Sequence, residues 1–375
     1  MEKRIVLTGG PGSGKTTVLN SIVNIYSSLG VKVIVVSETA TEIINSGIKP
    51  FGDDKINLLD FQELVLSLQL SKEKLFDRSI ELYKKSHPDK DILVIYDRGA
   101  IDNKAYINDK DFNSILNQVC QNSYSSILNK YDLVIDLVGA KSFYTLENNH
   151  ARSESADVAL ELGEKTLKSW TGHPKVKIVS PKEKMEDKVA EVISYINELL
   201  DKKTLKKQKK YLIDINESDL NYLLENGVSS FIEQCYLVSS KDEEKRVRKT
   251  TINDSPSYEL TVYEKNESEK MLKSSKSISE KIYNELKEFK IPDSSDIRKY
   301  RVYFTYEDTY MYADVFVDGE KYEEYGYLEI NLSDEQRVNI PPFIKVLKDV
   351  SDDQNYDNYT KAVGEKSAEL KKVIL

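Results

Sequence analysis

Short runs of consecutive apolar residues recur through the first half of the chain: Ile5-Val6-Leu7, Val33-Ile34-Val35-Val36, Ile92-Leu93-Val94-Ile95 and Leu133-Val134-Ile135. A strand with one wet face shows a polar residue at every second position. These runs show none, so they predict strands covered on both faces, as in a parallel sheet. Between them, residues 16–29, 60–85 and 111–129 carry apolar side chains at helical spacing. Strand–helix alternation over residues 1–200 predicts an α/β domain, a parallel sheet with helices on both faces.

The pattern changes after residue 200. Residues 202–210 are rich in lysine and read as a linker or the lead-in to a strand. Residues 300–306, 310–317 and 324–332 are rich in Tyr, Val and Phe and predict strands. Asp318-Gly319 marks a tight turn between two of them, and residues 253–256 mark another. One amphipathic helix is expected, with Ile278, Ile282 and Leu286 on one face and Ser277-x-x-Glu280 as its capping box. Residues 205–375 are therefore expected to form an α+β domain built on an antiparallel sheet or barrel.

At 375 residues the chain has room for two hydrophobic cores. Its net charge of -9 argues against non-specific binding to nucleic acid or anionic membrane. No apolar run approaches the ~20 residues of a membrane helix. Met1-Glu2-Lys3-Arg4 leads straight into the first strand, with no signal peptide. Cys120 and Cys235 lie far apart and make no ligand spacing with His87, His150 or His173. They read as reduced thiols, and a cytoplasmic location is expected.

Gly9-Gly10-Pro11-Gly12-Ser13-Gly14-Lys15-Thr16 fits G-x-x-x-x-G-K-[ST], after a predicted strand and at the start of a predicted helix. The glycines let backbone N–H groups turn inward around phosphate oxygens, and the helix N-terminus adds partial positive charge. Lys15 would reach the β- and γ-phosphates and Thr16 would ligate Mg²⁺, with Thr17 next to it in the binding segment. The expected ligand is ATP or GTP with Mg²⁺. Asp97 ends the third apolar run, where a carboxylate can hold Mg²⁺ through its water shell; a loop-starting aspartate is the plain alternative. Glu38 follows the second run and can orient water or take a proton from a substrate hydroxyl, or simply cap a helix. Arg152, in Asn149-x-x-Arg152-x-Glu154, can stabilise charge on the phosphates or be a surface arginine.

Strand residues two apart share a face. Arg246 with Arg248, Lys299 with Arg301, and Lys206 with Gln208 and Lys210 each repeat at that spacing. A solvated face is the ordinary reading of one such pair. Three in a β-rich domain would line a cationic bore if the sheet closed with these faces inward. Such a bore needs an anion to be tolerable.

These motifs carry two resemblances. The glycine loop, with Ser37-Glu38-Thr39-Ala40, Asp97-Arg98-Gly99, Asn149-x-x-Arg152 and Trp170-x-x-His173-Pro174, resembles the AAA-type, NadR-like kinase P-loop domains of the TRPL translocation defect group. That resemblance implies nucleotide binding, a lid carrying Arg152, and either hydrolysis or phosphoryl transfer. No Asn-Lys-x-Asp motif for reading guanine is present; relatives are associated with GTP, and kinase-like members use ATP. Residues 205–375 resemble the CYTH, or triphosphate tunnel metalloenzyme, family. The matching residues are Lys210-Tyr211-Leu212-Ile213, Ile232-x-Gln234-x-Tyr236-Leu237, Arg246-x-Arg248, Tyr258-x-Leu260-Thr261, Lys299-x-Arg301, Asp314-Val315-Phe316 and Leu328-Glu329-Ile330. This implies a closed antiparallel barrel that holds triphosphate or polyphosphate with divalent metal, through Lys210, Arg246, Arg248, Lys299, Arg301 and Glu329.

The departures from that family are specific. Its opening Glu-x-Glu-x-Lys is Lys206-x-Gln208-x-Lys210 here, and its closing Glu-x-Glu is Glu329-x-Asn331. Tyr263 stands where a lysine is usual, and the acidic pair before Ile278 falls on Lys273 and Ser275, with Glu267 and Glu269 nearby. Loss of acids counts against metal-assisted hydrolysis and leaves anion binding. The chain is expected to be a slow NTPase or nucleotide switch whose barrel binds a polyphosphate, inositol phosphate or phosphoinositide. Two alternatives stand beside it, a small-molecule kinase with Glu38 or Asp97 as base, and an active tunnel triphosphatase. The oligomeric state is not legible.

Overall fold

The computed structural model describes residues 1–119, 124–140, 156–200, 208–215, 217–240, 243–252, 254–265, 271–307, 309–319, 321–331 and 339–364. The chain divides into two compact units, Met1–Asp201 and Lys202–Leu375.

The N-terminal unit runs β1 (Glu2–Thr8), α1 (Lys15–Ser28), β2 (Lys32–Val36), α2 (Thr39–Asn45), α3 (Leu58–Ser86) and β3 (Ile92–Asp97). A 3-10 turn (Ala100–Ala105), α4 (Asp109–Val119), α5 (Tyr124–Leu128), β4 (Leu133–Leu137), α6 (Ala156–Trp170), β5 (Val176–Val179) and α7 (Met185–Leu200) follow. The five strands pair in parallel in the order β2-β3-β1-β4-β5. Ile5, Leu7, Leu93, Ile95, Ile135 and Leu137 face one side, packed on Val18, Ile22 and Tyr26 of α1 and on Val192, Tyr195 and Ile196 of α7. Val6 faces the other side, toward Trp170 at the end of α6. There α3 and α6 both pack on the 3-10 turn. The apolar residues of β1, β3 and β4 are therefore covered whichever way they point, which is why their runs are unbroken; β2, at the sheet edge, is mostly half-buried. Each fully buried Ile, Leu or Val contributes about 1.5–3 kcal/mol by leaving water.

Of the helix expected over residues 111–129, the described parts are α4 and α5, and residues 120–123 lie outside the described set. Strand β5 escapes the sequence pattern because Lys177 interrupts its short apolar run; the ammonium lies 4.6 Å from the Tyr195 ring centroid.

The C-terminal unit holds β6 (Gln208–Asp214), α8 (Glu217–Asn226), β7 (Val228–Leu237), β8 (Glu243–Ile252), β9 (Ser255–Lys265), β10 (Met271–Ile278) and α9 (Glu280–Lys287). Then come β11 (Ile297–Tyr306), β12 (Thr309–Asp318), β13 (Lys321–Asn331), β14 (Lys345–Asp349) and α10 (Asn358–Val363). All nine strands are antiparallel, in the order β10-β9-β8-β7-β11-β12-β13-β6-β14. The ladder ends on β10 and β14, and no pairing joins these two among the described residues. Among the described residues the hydrogen-bonded sheet is thus not closed, where a closed barrel was implied. Its apolar face carries Ile213, Val302, Phe304, Met311, Val315 and Leu328 and is packed by Leu220 and Leu223 of α8.

One local expectation fails. Ser277 is a strand residue paired with Glu259, and Ile278 ends β10, so neither belongs to the helix. The cap is Ser279, whose Oγ accepts a hydrogen bond from the N–H of Ile282 at 3.3 Å. The buried stripe of α9 runs through Tyr283 and Leu286, while Ile282 is 44% exposed.

Candidate functional site

The order of the parallel sheet reverses at β1, and open α/β sheets bind ligands at the carboxyl ends of the strands flanking such a switch. The glycine loop occupies that place. Gly14 takes a φ of 90°, in the left-handed region, as the chain enters α1. At Gly10 the constraint is space: a Cβ would stand 2.6 Å from the carbonyl oxygen of Ala159, because α6 packs directly on the loop. From the opposite face, Lys188 of α7 reaches in. Its Nζ donates to the carbonyls of Ser13 at 2.9 Å and Val138 at 2.8 Å, bracing the loop against the end of β4.

Lys15 Nζ donates to the carbonyls of Gly9 at 3.0 Å and Gly10 at 2.9 Å. Burial pushes its pKa down, with Arg98 adding to the effect and Glu38, Asp97 and Asp102 opposing it, to about 8. Thr16 and Thr17 are exposed at the start of α1. Four charged residues, from the ends of β2 and β3 and the 3-10 turn after β3, therefore act on one ammonium.

Asp97 ends β3. Burial and then Glu38 push its carboxyl above the ordinary value. Its Oδ1 is shielded from solvent and has no hydrogen-bond partner. Buried polar oxygens are rarely left unsatisfied, and an explanation is owed. Mg²⁺, a hard cation that binds through one or two carboxylates while keeping several waters, supplies one. Asp97 would be one protein-side ligand of such an ion, and the Thr16 hydroxyl is the second expected from the sequence.

Glu38 caps α2 and is fixed from two sides. Its Oε1 accepts from Arg98 Nε at 2.7 Å and its Oε2 from the Thr41 hydroxyl at 2.8 Å. Burial alone would push the carboxyl up; Arg98, Lys15 and Thr41 outweigh it and hold the group below its usual range. Arg98 is held in a strained backbone conformation, φ 68°, and its N–H donates to the Leu7 carbonyl at 3.1 Å. A chain of hydrogen bonds from α3 supports both strand ends. Gln69 Nε2 donates to Glu73 Oε1 at 2.9 Å and to the Arg98 carbonyl at 3.5 Å, and the Thr39 hydroxyl donates to Gln69 Oε1. Tyr131 OH donates to the same Glu73 oxygen at 2.7 Å.

Behind the loop lie two further acids. Asp102 accepts from the Thr8 hydroxyl and from the Gly99 N–H, the latter at 2.7 Å. Asp136 sits opposite Thr8 in the β1–β4 register, fully buried, with Oδ1 unpartnered. Burial and then the neighbouring Asp102 push it up to about 7.

The structure thus brings Lys15, Glu38 and Asp97 together with the glycine loop and with Arg98, Asp102, Asp136 and Lys188, none of which had a role assigned from sequence. An acid straight after the apolar Leu133-Val134-Ile135 was a legible sign of Asp136. Nothing local marks Lys188, which comes from a distant helix. Arg152 lies outside the described residues.

In the C-terminal unit the strand registers put Lys210, Arg246, Arg248, Lys299, Arg301 and Glu329 on one face, opposite the apolar one. Arg301 donates to Asp314 twice, Nε to Oδ1 at 2.6 Å and Nη2 to Oδ2 at 2.8 Å, and Lys299 bonds the same carboxylate. Burial would raise Asp314; Arg301 and Lys299 hold it well below the usual carboxylate range. Glu329 accepts from the Tyr312 hydroxyl, and Lys210 Nζ lies 3.9 Å from Glu329 while donating to the Tyr356 carbonyl at 2.6 Å. Arg248 donates to Gln234 Oε1 from Nε at 3.2 Å and Nη2 at 3.1 Å. Among the described residues no group of three or more His, Cys, Asp or Glu could hold a metal ion. Lys206, Glu267 and Glu269 lie outside them.

Residues 4–188 match the model of a protein family described as an AAA domain. That segment contains the glycine loop, Glu38, Asp97 and every acid named around Lys15. No curated protein matches the chain. Among solved structures, thymidylate kinase from Ehrlichia chaffeensis is 14% identical, with 52% of this chain and 98% of that one covered and a TM-score of 0.33. The hypothetical protein NE1496 is 18% identical, covering 41% of this chain and 95% of that one at a TM-score of 0.31. HpAC1 from Hippeastrum, described as revealing a dominant triphosphatase activity, is 11% identical, covering 33% and 78% at a TM-score of 0.24.

Proposed function

We propose that the N-terminal unit binds ATP or GTP with Mg²⁺ and cleaves its terminal phosphoanhydride, acting as a slow NTPase or switch, and that the polar face of the C-terminal unit binds a phosphorylated anion. The observation that carries the first part is the buried, unpartnered Oδ1 of Asp97 among the charges that surround Lys15. The match of residues 4–188 to an AAA domain supports it.

On this reading the loop N–H groups and the start of α1 receive the phosphates, and Lys15 exchanges the carbonyls of Gly9 and Gly10 for phosphate oxygens. Mg²⁺, when bound, supplies charge neutralisation at those oxygens. Glu38, held ionised and oriented by Arg98 and Thr41, accepts the proton of the attacking oxygen. A bond forms from that oxygen to the γ-phosphorus, the bond to the β–γ bridging oxygen breaks, and the nucleoside diphosphate leaves. Arg98 adds a second cation near Lys15 to balance charge as it develops.

A second reading, a small-molecule kinase, is favoured by Glu38. A carboxylate anchored at a strand end suits a substrate hydroxyl as well as water. Phosphate release from ATP and GTP tests both. Lys15→Ala is expected to abolish release, and Glu38→Gln to slow it by about 10²–10⁴-fold with nucleotide affinity little changed. Slow basal turnover that rises sharply with an added acceptor selects the kinase. Under the tunnel-triphosphatase alternative, Arg248→Ala would remove release and Lys15→Ala would not.

A further inference from the structure

The cations of the polar face are not equivalent. Lys299 and Arg301 share Asp314, and Lys210 is matched by Glu329 and the Tyr356 carbonyl. Arg246 and Arg248, two residues apart on β8, form no ion pair among the described residues. Half-buried Arg248 is hydrogen-bonded only by the neutral Gln234, and burial, Arg246 and Arg301 push its pKa down against the opposing effect of Glu259 and Tyr263. Arg246 is 7% exposed; its guanidinium lies 5.4 Å from the Tyr263 ring centroid and shares a hydrogen bond with the neutral Tyr236 side chain, while its Nε has no hydrogen-bond partner. Glu259 stands opposite Arg248 in the β8–β9 register, but it accepts from the Thr261 hydroxyl at 2.8 Å and makes no ion pair with either arginine.

A guanidinium cannot relieve this by losing its proton. Two guanidinium forks beside each other, one buried and one half-buried and neither held in an ion pair, are costly unless an anion joins them. Their charge and geometry suit one phosphoryl group carrying two negative charges, which can take bidentate hydrogen bonds from arginine. A triphosphate brings more negative charge than these two arginines balance. No cluster of His, Cys, Asp or Glu among the described residues could hold a metal to make up the difference.

Resting on the anion-binding reading of this face, we propose that Arg246 and Arg248 form a metal-independent site for a single phosphomonoester dianion, in place of a metal-bound polyphosphate.

The test is calorimetric titration of the full chain carrying Lys15→Ala, which weakens the N-terminal phosphate site. Inorganic phosphate, β-glycerophosphate and tripolyphosphate are titrated in EDTA and again with Mg²⁺. The expected result is binding of phosphate and β-glycerophosphate that Mg²⁺ does not change, with tripolyphosphate no more than about tenfold tighter. Arg246→Gln and Arg248→Gln should each weaken it by roughly tenfold or more. Where an arginine variant fails to fold, Gln234→Glu keeps the face filled, gives Arg248 a carboxylate, and should abolish binding. Tripolyphosphate that needs Mg²⁺ and binds far more tightly than phosphate would overturn this proposal while leaving the anion-binding reading intact. Absence of any anion binding, or binding indifferent to Arg246, Arg248 and Gln234, would overturn both.

Discussion

Lys15 donates to two loop carbonyls, and its pKa is pushed down to about 8 by burial and Arg98. Below that pH the ammonium is present before the nucleotide arrives, so affinity should be flat. Above it, a proton must be taken up on binding, so affinity should fall toward tenfold per pH unit. Titrations from pH 7 to pH 9.5 in buffers of different ionisation enthalpy would read both the slope and the proton. Asp136 shows the opposite shift, up to about 7 from burial and Asp102. A carboxyl whose folded pKa is raised loses stability as pH climbs from its unfolded value to its folded one. Asp136→Asn should therefore raise the melting temperature of the N-terminal unit, by more at pH 8 than at pH 5. In the other unit Asp314 is the sole carboxylate bonded to Lys299 and Arg301 among the described residues. Asp314→Ala leaves two buried cations unpaired and should cost about 3–5 kcal/mol in denaturant unfolding.

Helix α6 belongs to the phosphate site as much as to the core. Its backbone at Ala159 and Gly163 leaves no room for a side chain at position 10. Gly10→Ala should displace the loop and weaken nucleotide binding severely while the unit stays folded, as circular dichroism would show. The four expected strands of this unit were legible because burial on both faces leaves unbroken apolar runs. Strand β5 was not, since Lys177 shields its charge against Tyr195. In α9 the serine spacing pointed two residues too early, because β10 keeps its ladder through Ile278. The loop, Asp97 and Glu38 stood out as local patterns next to strand ends. Arg98, Gln69 and Lys188 did not: their roles come from tertiary distances, between β1 and β3, from the middle of a long helix, and from α7 back to Ser13. The pairing of basic residues on β8 and β11 was visible as a period of two. Which of those cations Asp314 would neutralise depended on a register that sequence does not reveal.

At the scale of the chain, two hydrophobic cores lie in two compact units, one on the parallel sheet and one on the apolar face of the antiparallel sheet. Each core draws its buried residues from within its own unit. A fragment of residues 1–200 is therefore expected to fold alone and bind nucleotide within about threefold of the full chain, by titration calorimetry. The account rests on the phosphate loop, so its most direct measurement is calorimetry of the full chain with ATP and with GTP, with and without Mg²⁺, beside Lys15→Ala. It predicts Mg²⁺-dependent binding of at least one nucleotide at one site, weakened about a hundredfold or more in the variant. Wild-type protein that binds neither nucleotide, or a Lys15→Ala variant that binds as tightly as wild type, would contradict it.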